Sequence, residues 1–261
     1  MRKILAICFL GLVLIPTLLH PSGAEAAARP SAEQEAEHYR RCLDFARKEP
    51  SAGFEDAIAW QSLGGGHPAE HCAAVALIGL KQYGEAATRL EKLAETMGKA
   101  PPELLAEVLG QAGQAWLLAG EAARAVLVLA RAIAVAPADP DFRIDEAEAL
   151  AATGNYAGAV TALDKALELD PRRADGLAYR ASAKRMLGRL DQALADADAA
   201  LKIAPDSPDA LLERGNIRQL KGDSAGARQD WLRAATVAPD SPAAASSRDN
   251  IEKLDLATKT K

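Results

Sequence analysis

Residues 120–137 read GEAARAVLVLARAIAVAP, and the outline of this stretch, a glycine followed by an alanine-rich run and a proline, decides the fold. The same outline returns at residues 154–171, 188–205 and 222–239, so it repeats every 34 residues. Glycine readily adopts positive φ and proline cannot continue a helix, so each stretch is typical of a turn, a helix and a stop. The period therefore predicts a series of similar helical units.

Small side chains hold the same places in every period. Counting back from each proline, glycine or alanine stands at 24 residues, glycine at 17, and alanine at 12 and at 5. In the first period these residues are Gly113, Gly120, Ala125 and Ala132, before Pro137. A larger side chain where two helices touch overpacks the contact by about 1–3 kcal/mol. We therefore expect two antiparallel helices in each unit, pressed together at these positions.

This spacing of small residues, glycine and proline resembles the tetratricopeptide repeat family. The resemblance implies an all-α fold, an α-solenoid of stacked helix-turn-helix repeats that forms a right-handed superhelix. The predicted repeats span residues 106–139, 140–173, 174–207 and 208–241, and a C-terminal capping helix spans residues 243–257.

One position departs from the family's pattern. Twenty-one residues before the proline the family favours an aromatic side chain, which only Trp116 provides, whereas Leu150, Lys184 and Arg218 stand in the later periods. Long basic side chains can cover apolar surface while their charges stay in water. We expect these replacements to loosen the packing without changing the fold.

Residues 31–100 match the pattern less well and are predicted to form degenerate helical pairs of the same kind. Ser31 and Gln34 have the spacing of a capping box, which predicts a helix start. The run from Gly64 to Pro68 predicts a loop before the next helix.

The N-terminus has the pattern of a secretion signal. Arg2 and Lys3 precede an apolar run that Pro16 ends, and Ala24 and Ala26 have the spacing of a cleavage site. Residues 1–26 are therefore predicted to be a signal peptide, and the mature protein to be periplasmic or secreted, without membrane insertion after cleavage. An uncleaved anchor is the alternative, although the apolar run is short for a membrane span.

Removal of the signal would take Cys8 with it and leave the pair Cys42 and Cys72. Two thiols in an oxidising compartment favour one disulfide. Under the family resemblance both cysteines fall in the first helices of neighbouring units, which run side by side. The alternative is two buried, unpaired thiols.

The sequence offers no convincing set of catalytic groups, so no enzyme activity and no cofactor are expected. The glycines at 64–66 lack the following Lys-Ser or Lys-Thr of a phosphate-binding loop. His67, His71 and Cys72 lie close in sequence without a fixed acidic ligand, so no metal site is predicted. A net charge of -5 without a basic stripe argues against nucleic acid. An enzyme with an unrecognised site in residues 31–100 is the least favoured alternative.

The resemblance implies that the first helix of each repeat lines a concave groove that holds a protein or peptide partner. The predicted groove residues are Gln114, Leu117, Ile144, Glu148, Ser182, Arg185, Leu212, Asn216 and Gln219. The alternative is that these side chains are simply solvated. The predicted function is an exported interaction scaffold or adaptor of the bacterial envelope, and the alternative is a repeat protein that self-associates into a homo-oligomer.

An acid also recurs thirty residues before each proline. The row is Glu107, Asp141, Asp175 and Asp209. Acids in the first turn of a helix stabilise its positive end by about 0.3–1 kcal/mol, which is one explanation of the row. The other is an acidic rim that attracts a basic segment of the partner.

Overall fold

The computed structural model describes residues 31–259, and the side chains of residues 31–257. Within these residues it contains thirteen α-helices and no strand. The predicted signal peptide, residues 1–26, lies outside the described residues. The helices are α1 Ala32–Lys48, α2 Pro50–Ser62, α3 Gly66–Gly79, α4 Tyr83–Thr96, α5 Pro102–Leu118, α6 Ala122–Val135, α7 Pro140–Ala152, α8 Tyr156–Leu169, α9 Ala174–Met186, α10 Leu190–Ile203, α11 Pro208–Leu220, α12 Ser224–Val237 and α13 Pro242–Lys259.

The helices stack as antiparallel pairs along one direction. Each helix contacts the next one in the chain, and each first helix of a pair also contacts the first helix of the following pair, from α5 through α7, α9 and α11 to α13. Such contacts between neighbours alone are the mark of a solenoid. The prediction of an all-α solenoid of repeats is confirmed.

The glycine of each period makes the turn that the sequence predicts. Gly120, Gly154, Gly188 and Gly222 have φ of 78°, 82°, 73° and 87°, in the left-handed region that side chains with a Cβ disfavour. In the degenerate unit of α3 and α4 the same turn position is Lys81, which adopts φ of 60°.

Helix contacts pair a small residue on one helix with a larger one on the other. A Cβ added to Gly113 would lie 2.5 Å from Cγ of Leu129, and one added to Gly215 would lie 2.5 Å from Nε1 of Trp231. In one of the two intervening repeats, that of α9 and α10, both positions are alanine, Ala181 and Ala197, and both are fully buried. The two helices of a repeat therefore divide the side-chain volume at their contact differently from repeat to repeat, while the spacing between the helices is kept.

Two predicted boundaries are wrong in detail. The loop expected from Gly64 to Pro68 is shorter, because α3 already begins at Gly66 and includes Pro68 in its first turn. A proline is tolerated there because the first amides of a helix have no partner within the helix. Likewise α5 begins at Pro102, so Glu107 does not lie in a first helical turn.

The basic residues that depart from the family's pattern do not keep their charges in water as expected. Nζ of Lys184 lies 2.7 Å from a carboxylate oxygen of Asp196, whose residue is only 7% exposed. One period later, Arg218 is bonded to Asp230 at 2.8 Å, and Asp230 is 4% exposed. These side chains pair with buried carboxylates inside the repeat, so they join its helices instead of loosening them.

A disulfide joins Cys42 of α1 to Cys72 of α3. Both residues are fully buried, and their Cα atoms lie 6.2 Å apart. The bond links the first helices of the two N-terminal pairs, as the family resemblance suggested.

No helix in the described part of the chain combines the length and the apolar character that a membrane crossing requires.

Candidate functional site

Polar side chains join successive first helices along one side of the stack. His71 of α3 lies 2.7 Å from the hydroxyl of Tyr39 on α1 and 2.7 Å from Oε1 of Gln111 on α5. Burial lowers the pKa of His71, so its ring is neutral near pH 7. A neutral ring donates from Nε2 to Gln111 and accepts the Tyr39 hydroxyl at Nδ1. One histidine thus connects three helices.

The same kind of link continues toward the C-terminus. The side-chain amide of Gln114 on α5 donates to Asp145 on α7 at 3.1 Å. Arg185 on α9 makes two bonds to Glu213 on α11, at 2.7 and 3.2 Å. Gln114 and Arg185, both predicted groove residues, therefore use part of their hydrogen-bonding capacity to hold neighbouring repeats together.

Two predicted groove residues, Glu148 and Ser182, line a pocket between α7, α8 and α9. The pocket has a volume of about 210 Å³. Small and apolar side chains and two tyrosine rings form the rest of its wall: Ala147, Ala151, Tyr156, Ala159, Leu163, Tyr179 and Ala183. We call this the tyrosine pocket.

Three more predicted residues, Arg185, Asn216 and Gln219, line a second pocket of about 450 Å³ between α9, α11, α12 and α13. Oδ1 of Asn216 accepts from Trp231 at 3.1 Å and from Asn250, one period further along, at 2.9 Å. The capping helix α13 thus occupies the place of a first helix and completes this pocket.

The remaining predicted groove residues present less surface. Ile144 is only 4% exposed and packs in a core cluster that includes Ala183 of the next repeat, and Leu117 and Leu212 are half-buried. The structure therefore places five of the nine predicted residues in two pockets and uses Gln114 and Arg185 in links between helices. The nine residues do not form one continuous open row.

The predicted row of acids is partly neutralised. Arg173, which precedes α9, bonds to both Asp141 and Asp175. This pairing lowers the pKa of Asp175. Asp209 differs, because burial raises its pKa and the Glu213 carboxylate adds to the effect. The row thus has no uniform charge.

Sequence reasoning missed Asp145, the most perturbed carboxyl group on this side of the stack. Burial raises its pKa to about 7, and the carboxylates of Glu148, Asp141 and Asp139 act in the same direction against the bond from Gln114. The only sequence signal was its place on α7, one turn before Glu148.

Tyr179 shares this electrostatic environment. Burial raises its pKa well above the ordinary range, and the interaction with Glu148 raises it further, as do Asp209 and Asp175. Three carboxylates therefore act on Tyr179 in the wall of the tyrosine pocket.

No group of three or more side chains that could hold a metal ion occurs within residues 31–257. Cys72 is bound in the disulfide, and His71 is engaged by Tyr39 and Gln111.

A family model described as Tetratricopeptide repeat matches residues 111–174, 144–208 and 179–245, which together make up just over half of the chain. The chain belongs to the tetratricopeptide repeat family. Proteins of this family are protein-interaction scaffolds, and the repeat fold is typically not an enzyme. No curated protein sequence matches the chain.

Solved structures of similar fold include the tetratricopeptide repeat protein TTC0263 of Thermus thermophilus. It is 21% identical, with a TM-score of 0.59 over 73% of this chain and 99% of that one. MamA is 16% identical, with a TM-score of 0.53 over 63% of this chain and 93% of MamA. YrrB, described as having an unusual peptide-binding site, is 18% identical, with a TM-score of 0.50 over 74% of this chain and 96% of YrrB. At these identities the similarity shows the fold alone.

Proposed function

We propose that this tetratricopeptide repeat protein is exported to the bacterial envelope, where it holds a peptide segment of a partner protein against the inner side of its stack. The observation that carries the proposal is the pair of pockets between first helices, which together contain five of the predicted groove residues: Glu148, Ser182, Arg185, Asn216 and Gln219. Pockets of this size, separated by fixed polar links, suit the side chains of an extended or helical peptide.

Export is supported by the N-terminal pattern and by the cysteines. Residues 1–26 have the order of charges, apolar run and small residues of a signal peptide. The buried disulfide between Cys42 and Cys72 fits an oxidising compartment.

Photo-crosslinking in the native envelope tests where the partner binds. A photoreactive residue at Ser182 or Gln219 should capture the partner. The same residue at Thr161, which is exposed on α8, is the matched control and should capture none. Equal capture at all three positions would remove the inner side as the binding surface.

Export is tested separately by fractionation and intact mass. The expected product is a periplasmic or secreted chain that begins close to Ala27 and is lighter by the two hydrogens of one disulfide. A cytoplasmic chain that keeps residues 1–26 would contradict this part of the proposal and leave the binding surface untouched.

Self-association is the second candidate function. It is favoured if the product captured at Ser182 or Gln219 is another copy of this chain and sedimentation shows an oligomer. A monomer at high concentration would remove it.

A further inference from the structure

We propose that the tyrosine pocket between α7 and α9 receives a cationic side chain, lysine or arginine, of a basic peptide segment. This inference rests on the proposed function, because it names the chemistry of the segment that the inner side would hold.

The shape of the pocket suits one long side chain. Its volume of about 210 Å³ is below the range of sites for small-molecule ligands, about 300–1,000 Å³. Ala147, Ala159 and Leu163, all nearly fully buried, provide an apolar surface for a hydrocarbon stem. Lysine and arginine bury such stems along apolar surface while the charge stays near polar groups.

The polar and aromatic groups of the pocket favour a positive charge. The carboxylate of Glu148 lies in its wall, and the rings of Tyr156 and Tyr179 flank it. Tyrosine faces attract cations, and Tyr179 is 38% exposed, so its ring is accessible to a ligand.

The protein itself supplies no cation to this pocket. Among the described residues, neither Glu148 nor Asp145 forms an ion pair with a lysine or arginine. Arg143 on α7 is paired with Glu146, and Arg180 on α9 is paired with Asp164 and Asp196.

Within the described residues, no ion pair offsets the carboxyl groups of Glu148 and Asp145. Burial is the main cause of the raised pKa of Asp145 and of Tyr179, and repulsion from nearby carboxylates adds to both, with Glu148 common to the two. A cation from outside would relieve this repulsion, which is the electrostatic complementarity that selects a basic segment over an acidic one.

The test is an NMR titration of the exported protein with two tripeptides that differ only in charge. The first is acetyl-leucyl-lysyl-leucine amide, and in the second norleucine replaces lysine. We expect shifts centred on Tyr156, Tyr179 and Ser182, and roughly fivefold tighter binding of the lysine peptide. Equal affinity for the two peptides, or shifts centred outside the pocket, would overturn the proposal.

Two variants of the protein sharpen the test, and a third serves as their control. Glu148→Gln should abolish the preference for lysine. Glu168→Gln makes the same change of charge on the exposed face of α8 and should preserve the preference. Ser182→Leu fills the pocket without a change of charge and should abolish binding of both peptides. Loss of the preference in Glu168→Gln to the same degree would assign the preference to the net charge of the protein. Full binding of both peptides by Ser182→Leu would show that they do not enter the pocket. Either outcome would overturn the proposal.

This outcome is distinguishable from a failure of the proposed function. If the crosslinker at Ser182 or Gln219 captures a partner while the lysine preference is absent, the tyrosine pocket alone is wrong. If no partner is captured at either position, the proposed function fails as well.

Discussion

Two successive repeats of this molecule follow the same backbone course but fill the space between their helices with different chemistry. In the repeat of α7 and α8, Leu150 and Ala162 occupy two interior positions. One period later, in the repeat of α9 and α10, the same positions are Lys184 and Asp196, joined at 2.7 Å. Helix spacing is therefore set by the small residues and glycine turns common to both repeats, and the filling is free to vary.

The charged filling is itself repeated. Arg180 binds Asp196 through two nitrogens, at 2.9 and 2.8 Å, and reaches Asp164 of the preceding repeat at 2.7 Å. One period later, Arg214 makes the same three bonds with Asp230 and Asp198, at 2.9, 2.6 and 3.0 Å. Each arginine thus joins the two helices of its own repeat to the repeat before it. The repeats of α9–α12 therefore contain charged networks at positions where the repeat of α7 and α8 has Leu150 and Ala162.

The carboxylates of the two regions differ accordingly. Asp196 faces two cations, Arg180 and Lys184, whereas Asp145 on α7 faces the neutral amide of Gln114 and several acids. We therefore expect these two carboxylates to affect stability with opposite sign, so that removing their charges moves stability in opposite directions.

Asp196→Asn should give the largest effect. The change leaves Lys184 without a carboxylate, and Arg180 with Asp164 alone, in a site where the side chain of Asp196 is 9% exposed. Removing one partner of a buried ion pair leaves the other charge uncompensated, which costs more than the pair contributes. We therefore expect a loss of about 3 kcal/mol in the free energy of unfolding, measured with urea. Asp164→Asn, at a side chain that is 49% exposed, should cost less than about 1 kcal/mol.

Transplanting the apolar filling sharpens this prediction. The double change Lys184→Leu and Asp196→Ala gives α9 and α10 the residues that α7 and α8 carry one period earlier. Because Arg180 keeps its ion pair with Asp164, no buried charge is then left alone, and the double variant should be more stable than Asp196→Asn by about 2 kcal/mol or more. A double variant less stable than the single one would mean that the two fillings are not interchangeable.

Gly215→Ala should be intermediate, because it tests the shared volume of the helix contacts and not their charge. Its new Cβ would lie 2.5 Å from Nε1 of Trp231, so the ring must move and its bond to Asn216 is strained. We expect a loss of about 1–3 kcal/mol in urea unfolding. The control is Gly176→Ala, where the nearest atoms lie 3.5 Å from the added Cβ. Because alanine has a better helix propensity than glycine, this variant should be as stable as the wild type or more stable. Equal losses in the two variants would point to the backbone and not to Trp231.

The parts of the fold that repeat could be predicted from sequence, since Gly120 and its equivalents mark a backbone conformation that few other residues tolerate. The buried ion pairs could not be recognised from Lys184 alone. Their signal was that the basic and acidic residues at positions 180, 184 and 196 all recur one period later, at 214, 218 and 230. Pairing of side chains across helices only becomes visible once the helices are placed.

The candidate site was predicted less well, for a similar reason. Family resemblance marks the helix face that turns inward, and it indicated Glu148 and Ser182 on that face. It does not show that Gln114 and Arg185 reach across to Asp145 and Glu213, because those contacts depend on rotamers and on the spacing between repeats.

The smallest expected effect is also the one of opposite sign, Asp145→Asn. The folded pKa of Asp145 is about 7, above its ordinary value of 3.8. Between these values the folded protein keeps a proton that the unfolded chain has released, so this group's contribution to stability is present at low pH and is lost as the pH rises toward 7. Asparagine removes the titration and can still accept the bond from Gln114.

Asp145→Asn should therefore match the wild type in urea unfolding near pH 4 and exceed its stability by about 1 kcal/mol near pH 8, a figure kept low because the carboxyl is partly exposed. Glu168→Gln, on the exposed face of α8, should leave the difference between the two pH values unchanged. A variant that is less stable than the wild type near pH 8 would show that Asp145 is held as a favourable charge, as Asp196 is. The contrast between the two carboxylates would then disappear.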